Sequence, residues 1–158
     1  SSPFITDNIT FIINKVENRK LITIFSAAIL TSIMQSSSIL TAIIIKLSEN
    51  SMILFDTAIL LVIGSNIGTC ITAFLASLTS SIKAKKLAIG HLLFNIYGMI
   101  WALFLMDYYV MILHKSSEVL ARQIANAHTL FNIMTILFLI PFFKIFISIL
   151  EKGNINKY

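Results

Sequence analysis

Charged residues are scarce in this sequence, and their scarcity excludes an ordinary soluble domain. Aspartate, glutamate, lysine and arginine make up 12% of the 158 residues, whereas 57% are hydrophobic. Soluble domains carry about 25% charged residues, and a soluble chain of this size could not bury so much apolar surface. The composition therefore predicts an integral membrane protein.

Cysteine is almost absent, and a cleavable leader is not apparent. Cys70 is the single cysteine, so a disulfide within the chain and a thiolate metal cluster are both excluded, and we expect no cofactor. No short apolar segment with a cleavage site opens the sequence, so we expect no signal peptide. The chain begins with serine rather than methionine, which we interpret as a fragment or a processed form.

Four stretches contain no charged residue, and each is long enough to cross a bilayer as a helix. They are residues 21–45, 57–82, 87–106 and 123–143. A transmembrane helix needs about 20 residues, so we predict an all-α fold with the lipid bilayer as a partner. The net charge of +5 comes from basic residues at the ends of these runs. This placement orients a membrane protein, and we predict no binding to nucleic acid.

We divide the chain into an amphipathic interfacial lead-in at 1–20, a membrane unit at 21–150 and a polar cytoplasmic tail at 151–158. The unit is predicted to comprise a hairpin at 21–47, a broken helix at 52–82, a helix at 85–113 and a helix at 118–150. The basic loop KAKK at 83–86 is placed in the cytoplasm by the positive-inside rule. The helix after it then runs outward, and the last one returns.

Polar residues stand at the centre of the first apolar run. Residues 31–42 read TSIMQSSSILTA, and seven of these twelve are polar. Polar groups without partners in hydrocarbon cost several kcal/mol each, and irregular backbone at membrane depth occurs only where protein or water covers it. We therefore favour two half-helices that meet near the serines as a re-entrant hairpin. A full crossing is the alternative.

A break at the serines would create an anion site. It would expose N–H groups at the start of the second half-helix, near Ile39, beside the hydroxyls of Ser36, Ser37 and Ser38. Such N–H groups and the positive end of the helix dipole attract anions without a fixed charge, and an oxyanion such as phosphate would fit. The alternative is that the serines mediate contacts between helices.

The segment GSNIGT at 64–69 predicts a second break. Gly64 and Gly68 weaken a helix, and Asn66 tolerates unusual backbone angles. Hydroxyls recur on one helical face, at Ser65, Thr69 and Thr72. Hydroxyls and freed carbonyls are ligands for Na+, and broken helices present such groups in transporters. The alternative is a packing face of small residues through the two glycines.

A short pattern, H-x-L-F-N, occurs at 91–95 and again at 128–132. His91 and His128 could relay protons or lie near a substrate. The alternative is that they form hydrogen bonds that tie neighbouring spans together.

Three motifs in this order, Q-S-S-S, G-S-N-I-G-T and H-L-L-F-N, resemble the sodium–phosphate cotransporter family, the type II group with its bacterial relatives. The resemblance covers roughly residues 21–150. That family carries two inverted repeats, each with a QSSS hairpin followed by a broken helix, so the chain resembles the C-terminal repeat half. The resemblance implies that 21–47 dips in from outside and that 57–82 crosses inward, with 1–20 outside.

The resemblance also implies the site residues. Those that match the sodium site are Gln35, Ser65, Thr69 and Thr72. Those expected at the phosphate site are Ser36, Ser37, Ser38 and Asn66, and Asn66 would also support the break. The implied function is sodium-coupled phosphate symport across the cytoplasmic membrane, with Na+ as the coupling ion and no enzymatic activity.

Only one QSSS copy is present, which leaves alternatives open. A complete site would need a missing N-terminal repeat half or a second copy of the chain. A membrane module that regulates or senses without transporting is the alternative function. An intramembrane hydrolase that pairs a serine of 36–38 with a histidine is disfavoured, because no G-x-S-x-G motif and no acidic orienting residue within the membrane are evident.

Overall fold

A computed structural model describes residues 19–152, and this part of the chain is helical apart from short connections. The predicted lead-in at 1–20 and tail at 151–158 lie almost entirely outside the described residues. The elements in chain order are α1 Lys20–Met34, α2 Ser37–Glu49, α3 Phe55–Ser77, α4 Ile82–Phe104, α5 Met106–Lys115, α6 Leu120–Leu139, a 3-10 turn Ile140–Phe142 and α7 Phe143–Lys152.

Three of the described helical stretches are long and apolar enough to cross a bilayer. They are Phe55–Ser77, Ile82–Phe104 and the stretch Leu120–Glu151, which runs from α6 into α7. The predicted all-helical fold is therefore confirmed for the described residues, and its three long apolar helices are compatible with a membrane protein. Helices α1 and α2 have 15 and 13 residues, or about 22 and 20 Å. Each is shorter than the hydrocarbon core of about 30 Å.

The polar segment breaks the first apolar run where the sequence predicts a break. Gln35 ends α1 in the left-handed conformation, with φ 53°, and its N–H donates to the carbonyl of Thr31 at 2.7 Å. Ser36 is extended, with φ −151° and ψ 106°, and α2 begins at the next residue. The entry of these two helices into a bilayer as a re-entrant hairpin stays a prediction.

The break predicted at GSNIGT is wrong, because α3 is a continuous helix from Phe55 to Ser77. Gly64 and Gly68 serve instead as points of close approach to α1. A Cβ atom on Gly68 would lie 2.5 Å from both the carbonyl oxygen of Ala28 and the Cβ of Thr31. Each glycine weakens a helix by about 1 kcal/mol, but here the absence of a side chain lets two backbones touch. The alternative interpretation, a packing face of small residues, is the one that the structure supports.

The remaining helices differ from the predicted bounds in three places. The segment KAKK at 83–86 is not a loop, since it lies in the first turns of α4 after Ser81, whose hydroxyl caps the helix by accepting from the N–H of Ala84 at 3.3 Å. The helix predicted at 85–113 is divided at Leu105 into α4 and α5. The helix predicted at 118–150 is interrupted by the 3-10 turn that contains Pro141, because proline removes a helical hydrogen bond.

The core is centred on α3, which packs against α1, α2, α4 and α6. A second set of contacts joins the later helices. The indole N–H of Trp101 on α4 donates to the Thr135 hydroxyl on α6 at 2.9 Å, and the Tyr109 hydroxyl on α5 donates to the carbonyl of Ala127 on α6. These buried polar groups find partners inside the protein, as an apolar surrounding requires.

Candidate functional site

The turn between α1 and α2 presents the four polar residues of the QSSS motif. Gln35 and Ser38 are exposed, and Ser36 and Ser37 are half-buried. The left-handed backbone at Gln35 is what directs the chain out of α1, and a non-glycine residue rarely adopts it. The two helix ends therefore leave an accessible polar surface at this turn.

Ser36 caps the start of α2. Its Oγ accepts from the N–H of Ile39 at 3.3 Å, and its carbonyl accepts from the N–H of Leu40 at 3.3 Å. The first N–H groups of any helix have no partner inside the helix, so those of Ser37 and Ser38 remain as donors. Together with the hydroxyls they form the arrangement that binds anions at helix N-termini.

Helices α1 and α3 run in the same direction. A Cβ atom on Gly64 would meet the carbonyl oxygen of Ile24, and one on Gly68 would meet Thr31 further along α1. The contact therefore advances along both helices together. The Oγ of Ser32 also donates to the carbonyl of Gly68 at 3.3 Å, which ties the last turn of α1 to α3.

This register sets the height of the polar turn along α3. Gln35 lies four residues beyond Thr31, and Thr72 lies four residues beyond Gly68, so each pair spans about 6 Å of helix. Since Thr31 and Gly68 are in contact, Gln35 stands at about the height of Thr72. The turn thus lies beside the last third of α3, and Thr69 is one turn or less below it.

The three hydroxyls expected at a sodium site follow one face of the continuous helix. Ser65 is fully buried, and Thr69 and Thr72 are half-buried. Each hydroxyl donates to a carbonyl of its own helix, with distances of 2.7, 3.1 and 2.8 Å for Ser65, Thr69 and Thr72. A hydroxyl that donates in this way keeps lone pairs on its oxygen, so these oxygens can still coordinate a cation.

Two details of the predicted site are wrong. Because α3 is unbroken, its carbonyls take part in helical hydrogen bonds and are not freed as ligands at 64–69. Asn66 does not support a break. It is buried, and its side-chain amide donates to the carbonyl of Val62 at 3.3 Å. The structure therefore brings Gln35, Thr69 and Thr72 to similar heights, but it leaves Ser65 and Asn66 deeper in the helix packing.

Thr31 and Ser32 hold the last turn of α1 against α3, although neither was assigned a role from sequence. Thr31 is fully buried against Gly68, and its hydroxyl donates to the carbonyl of Ala27 at 2.8 Å. Ser32 donates to the carbonyls of Ala28 and Gly68. Their position directly before QSSS, on the side of α1 that meets small residues, is the signal that could have identified them as positioning residues.

The two H-x-L-F-N segments form the same local structure. The side-chain amides of Asn95 and Asn132 donate to the carbonyls of His91 and His128, each at 3.0 Å and four residues back. A contact between spans reaches His91 through its backbone, because the Sγ of Cys70 lies 3.6 Å from its carbonyl oxygen. These contacts show that the motif stabilises the helices and their packing. A role of the histidines in proton transfer stays a prediction.

Comparison with known proteins adds independent information. The sequence model of a family described as Na+/Pi-cotransporter matches residues 2–140. The uncharacterized protein YqeW of Bacillus subtilis (strain 168) is 39% identical over 71 residues, 45% of this chain and 23% of that protein. Sodium-dependent phosphate transport protein 2C of Homo sapiens is 40% identical over 85 residues, 51% of this chain and 14% of that protein.

The similarity extends to a further mammalian protein but covers only part of each relative. Sodium-dependent phosphate transport protein 2A of Ovis aries is 40% identical over 77 residues, 46% of this chain and 12% of that protein. The matched segments span less than a quarter of each of these relatives. No solved structure is significantly similar to this chain.

Proposed function

Because the chain belongs to the Na+/Pi-cotransporter family, we propose that it forms the C-terminal half of a unit that couples sodium entry to phosphate uptake across the cytoplasmic membrane. A relative that matches half of this chain is named for sodium-dependent phosphate transport. The observation that carries the proposal is the height of the polar QSSS turn, whose capped helix start stands at about the level of the hydroxyl of Thr72 on α3.

Phosphate is proposed to bind at the start of α2. The N–H groups of Ser37 and Ser38 and the hydroxyls of Ser36 to Ser38 would donate to its oxygens, and the N-terminal end of the helix would favour its negative charge. The described part of this turn carries no charged side chain. Binding without a fixed cation suits transport, because a weaker attraction allows release on the other side.

Sodium is proposed to bind between the turn and α3. Hard cations prefer oxygen ligands, and the oxygens at this height include the Gln35 side-chain carbonyl and the hydroxyls of Thr69 and Thr72. Ser65 lies one turn deeper and would serve as a further ligand or hold the lower end of the site. Since α3 offers no freed carbonyls, the remaining ligands would come from the other repeat half or from a second copy.

The proposed order of binding follows from this arrangement. A sodium ion that bridges Gln35 and the hydroxyls of α3 would hold the left-handed backbone at Gln35 in place. That backbone sets the direction of Ser36 and therefore of the first N–H groups of α2. Sodium would thus raise the affinity for phosphate, and by linkage phosphate would raise the affinity for sodium by the same factor.

The test measures phosphate uptake into proteoliposomes by the full-length protein over a range of sodium concentrations. We expect Thr69→Val, which removes one hydroxyl and keeps the branched shape, to raise the half-saturating sodium concentration at least tenfold. Thr69→Ser, which restores a hydroxyl, should recover most of the activity. Ser38→Ala is expected to raise the KM for phosphate and to leave the sodium dependence measured at saturating phosphate unchanged.

The matched control is Thr57→Val. Thr57 lies on the same helix, 12 residues before Thr69, or about 18 Å along its axis. Loss of its hydroxyl should therefore change neither the half-saturating sodium concentration nor the KM for phosphate. Unchanged uptake by Thr69→Val would remove the sodium assignment. If Ser38→Ala raised the half-saturating sodium concentration as much as the KM for phosphate, the turn would have only a structural role.

A further inference from the structure

A groove on the outer surface of the helices is lined by none of the QSSS residues. It occupies about 770 Å³ between the last turns of α3, the first half of α4 and α7. Small residues give it depth, since Ala73 and Ala76 form its wall on α3. Phe94 and Phe146 supply apolar surface on α4 and α7. A cavity of this size accommodates a substantial organic ligand.

One lysine lies in the wall of this groove, which is mostly apolar and also includes Ser77, Ser80 and His91. Lys86 lines the groove and is half-buried, whereas Lys83 in the same segment is exposed and does not line it. Within residues 19–152 the structure contains one ion pair, Lys46 with Glu49, so the ammonium group of Lys86 has no carboxylate partner there. Lysine reaches from apolar surface toward a polar partner with its flexible stem.

The position of this charge in the fold is electrostatically unfavourable without an anion. Lys83, Lys85 and Lys86 lie in the first two turns of α4, whose first turn contains no acidic residue. Cations near a helix N-terminus oppose the helix dipole, while anions are stabilised there. The groove therefore combines a mostly apolar channel with a positive end that has no carboxylate partner within residues 19–152.

From this combination we propose that the groove binds an anionic phospholipid. One acyl chain lies along Ala73, Ala76 and Phe94, and the headgroup phosphate contacts the ammonium group of Lys86. Basic pockets between membrane helices on the cytoplasmic side bind anionic headgroups, and the positive-inside rule places 83–86 on that side. Inorganic phosphate alone would leave the apolar length of the groove unfilled, so the two-part chemistry selects a lipid.

The test uses the full protein, purified in a mild detergent with an equimolar mixture of phosphatidylglycerol and phosphatidylcholine, and counts retained lipids by native mass spectrometry. The unsubstituted protein should retain phosphatidylglycerol in preference to phosphatidylcholine. Lys86→Gln should lower phosphatidylglycerol retention about fivefold, the effect of about one lysine at a membrane surface. Lys83→Gln removes the same charge from the same segment and should change retention by less than twofold.

A second pair of variants tests the apolar part. Ala76→Phe fills the groove and should abolish retention of the lipid, while Leu75→Phe adds bulk at an exposed neighbouring residue that does not line it and should leave retention unchanged. An excess of inorganic phosphate should displace no lipid.

Three results would overturn the proposal. Equal retention of the two lipids would remove the headgroup assignment. If Lys83→Gln and Lys86→Gln lost the same amount of bound phosphatidylglycerol, the preference would come from surface charge in general and not from the groove. A protein that retains no lipid and instead carries a second copy across the groove would show that a protein is the occupant. None of these readouts measures uptake, so the lipid proposal and the transport proposal fail independently.

Discussion

Substitution of Gly68 by alanine tests the contact that positions the polar turn. The new Cβ would lie 2.5 Å from the carbonyl oxygen of Ala28 and 2.5 Å from the Cβ of Thr31, whereas ordinary contacts begin at 3.4 Å. Both neighbours belong to the rigid part of α1, so the helices must separate by about 0.9 Å near this point. The hydrogen bond from Ser32 to the Gly68 carbonyl, already 3.3 Å long, would then exceed normal hydrogen-bond length.

Three contributions set the expected change in the free energy of unfolding. Overpacking of this kind costs about 1–3 kcal/mol, and the lost hydrogen bond adds about 0.5–1.5 kcal/mol. Alanine favours the helix by about 1 kcal/mol relative to glycine, which offsets part of the loss. We therefore expect Gly68→Ala to lower the free energy of unfolding by about 0.5–3.5 kcal/mol. It should also reduce the proposed sodium-dependent uptake, because the turn moves away from α3.

The assay is unfolding of the protein in mixed micelles, followed by helical circular dichroism. Phosphate uptake is measured separately, after each variant has been reconstituted into proteoliposomes. Gly90→Ala is the matched control, because its Cβ would meet only the flexible end of Leu150, at 3.1 Å. Ser32→Ala removes the hydroxyl that contacts the carbonyls of Ala28 and Gly68 without adding bulk, and it should lower the free energy of unfolding by no more than about 1.5 kcal/mol. If Gly68→Ala were as stable and as active as Gly90→Ala, the close contact between α1 and α3 would be refuted.

Three further predictions concern other parts of the fold. Trp101→Phe removes the 2.9 Å bond to the Thr135 hydroxyl and should lower the free energy of unfolding by about 1–2 kcal/mol; an unchanged unfolding curve would contradict the buried contact. Ser36→Ala removes the cap on the N–H of Ile39 and should cost about 1 kcal/mol in the same assay, while Ser36→Asp should retain most of that stability; equal losses in both variants would argue against capping. Cys70 is fully buried, so a thiol-reactive maleimide should label it only after denaturation, and rapid labelling of the folded protein would exclude its place between α3 and α4.

The break at QSSS could be predicted from sequence because the physical conflict is local. A run of polar residues in an apolar stretch is unfavourable in an unbroken lipid-facing helix, and Ser36 is a good capping residue. No distant contact is needed for that conclusion. The structure accordingly ends α1 at Met34 and begins α2 at Ser37.

The continuity of α3 could not be decided from its own residues. Glycine both weakens a helix and permits close packing. The segment GSNIGT is therefore compatible with a break and with a packing face. The deciding signal lies in α1, where Ala27, Ala28 and Thr31 offer a complementary surface to Gly64 and Gly68. If the sequence of α1 had been compared with GSNIGT, the comparison would have favoured packing between the two helices. The helix propensity of each segment alone does not reveal this.

The start of α4 was missed for a different reason. A run of lysines suggests a solvated loop, but lysine and alanine are good helix formers, and Ser81 supplies a cap. The relative heights of Gln35 and Thr72 were likewise beyond sequence reasoning, since they depend on which glycine meets which turn of α1.

The backbone contact at Gly64 and Gly68 has a mechanical consequence. The glycines have no side chain, and their neighbours on α1 are backbone and the Cβ atoms of Ala27 and Thr31, so few rotatable groups separate α1 from α3 and we expect the two helices to move as a unit. In the proposed transport cycle, a change in the side of the bilayer that the turn faces would therefore move both helices together. The bending would then fall on the connection at 50–54, where Ser51 already holds a φ of 56°.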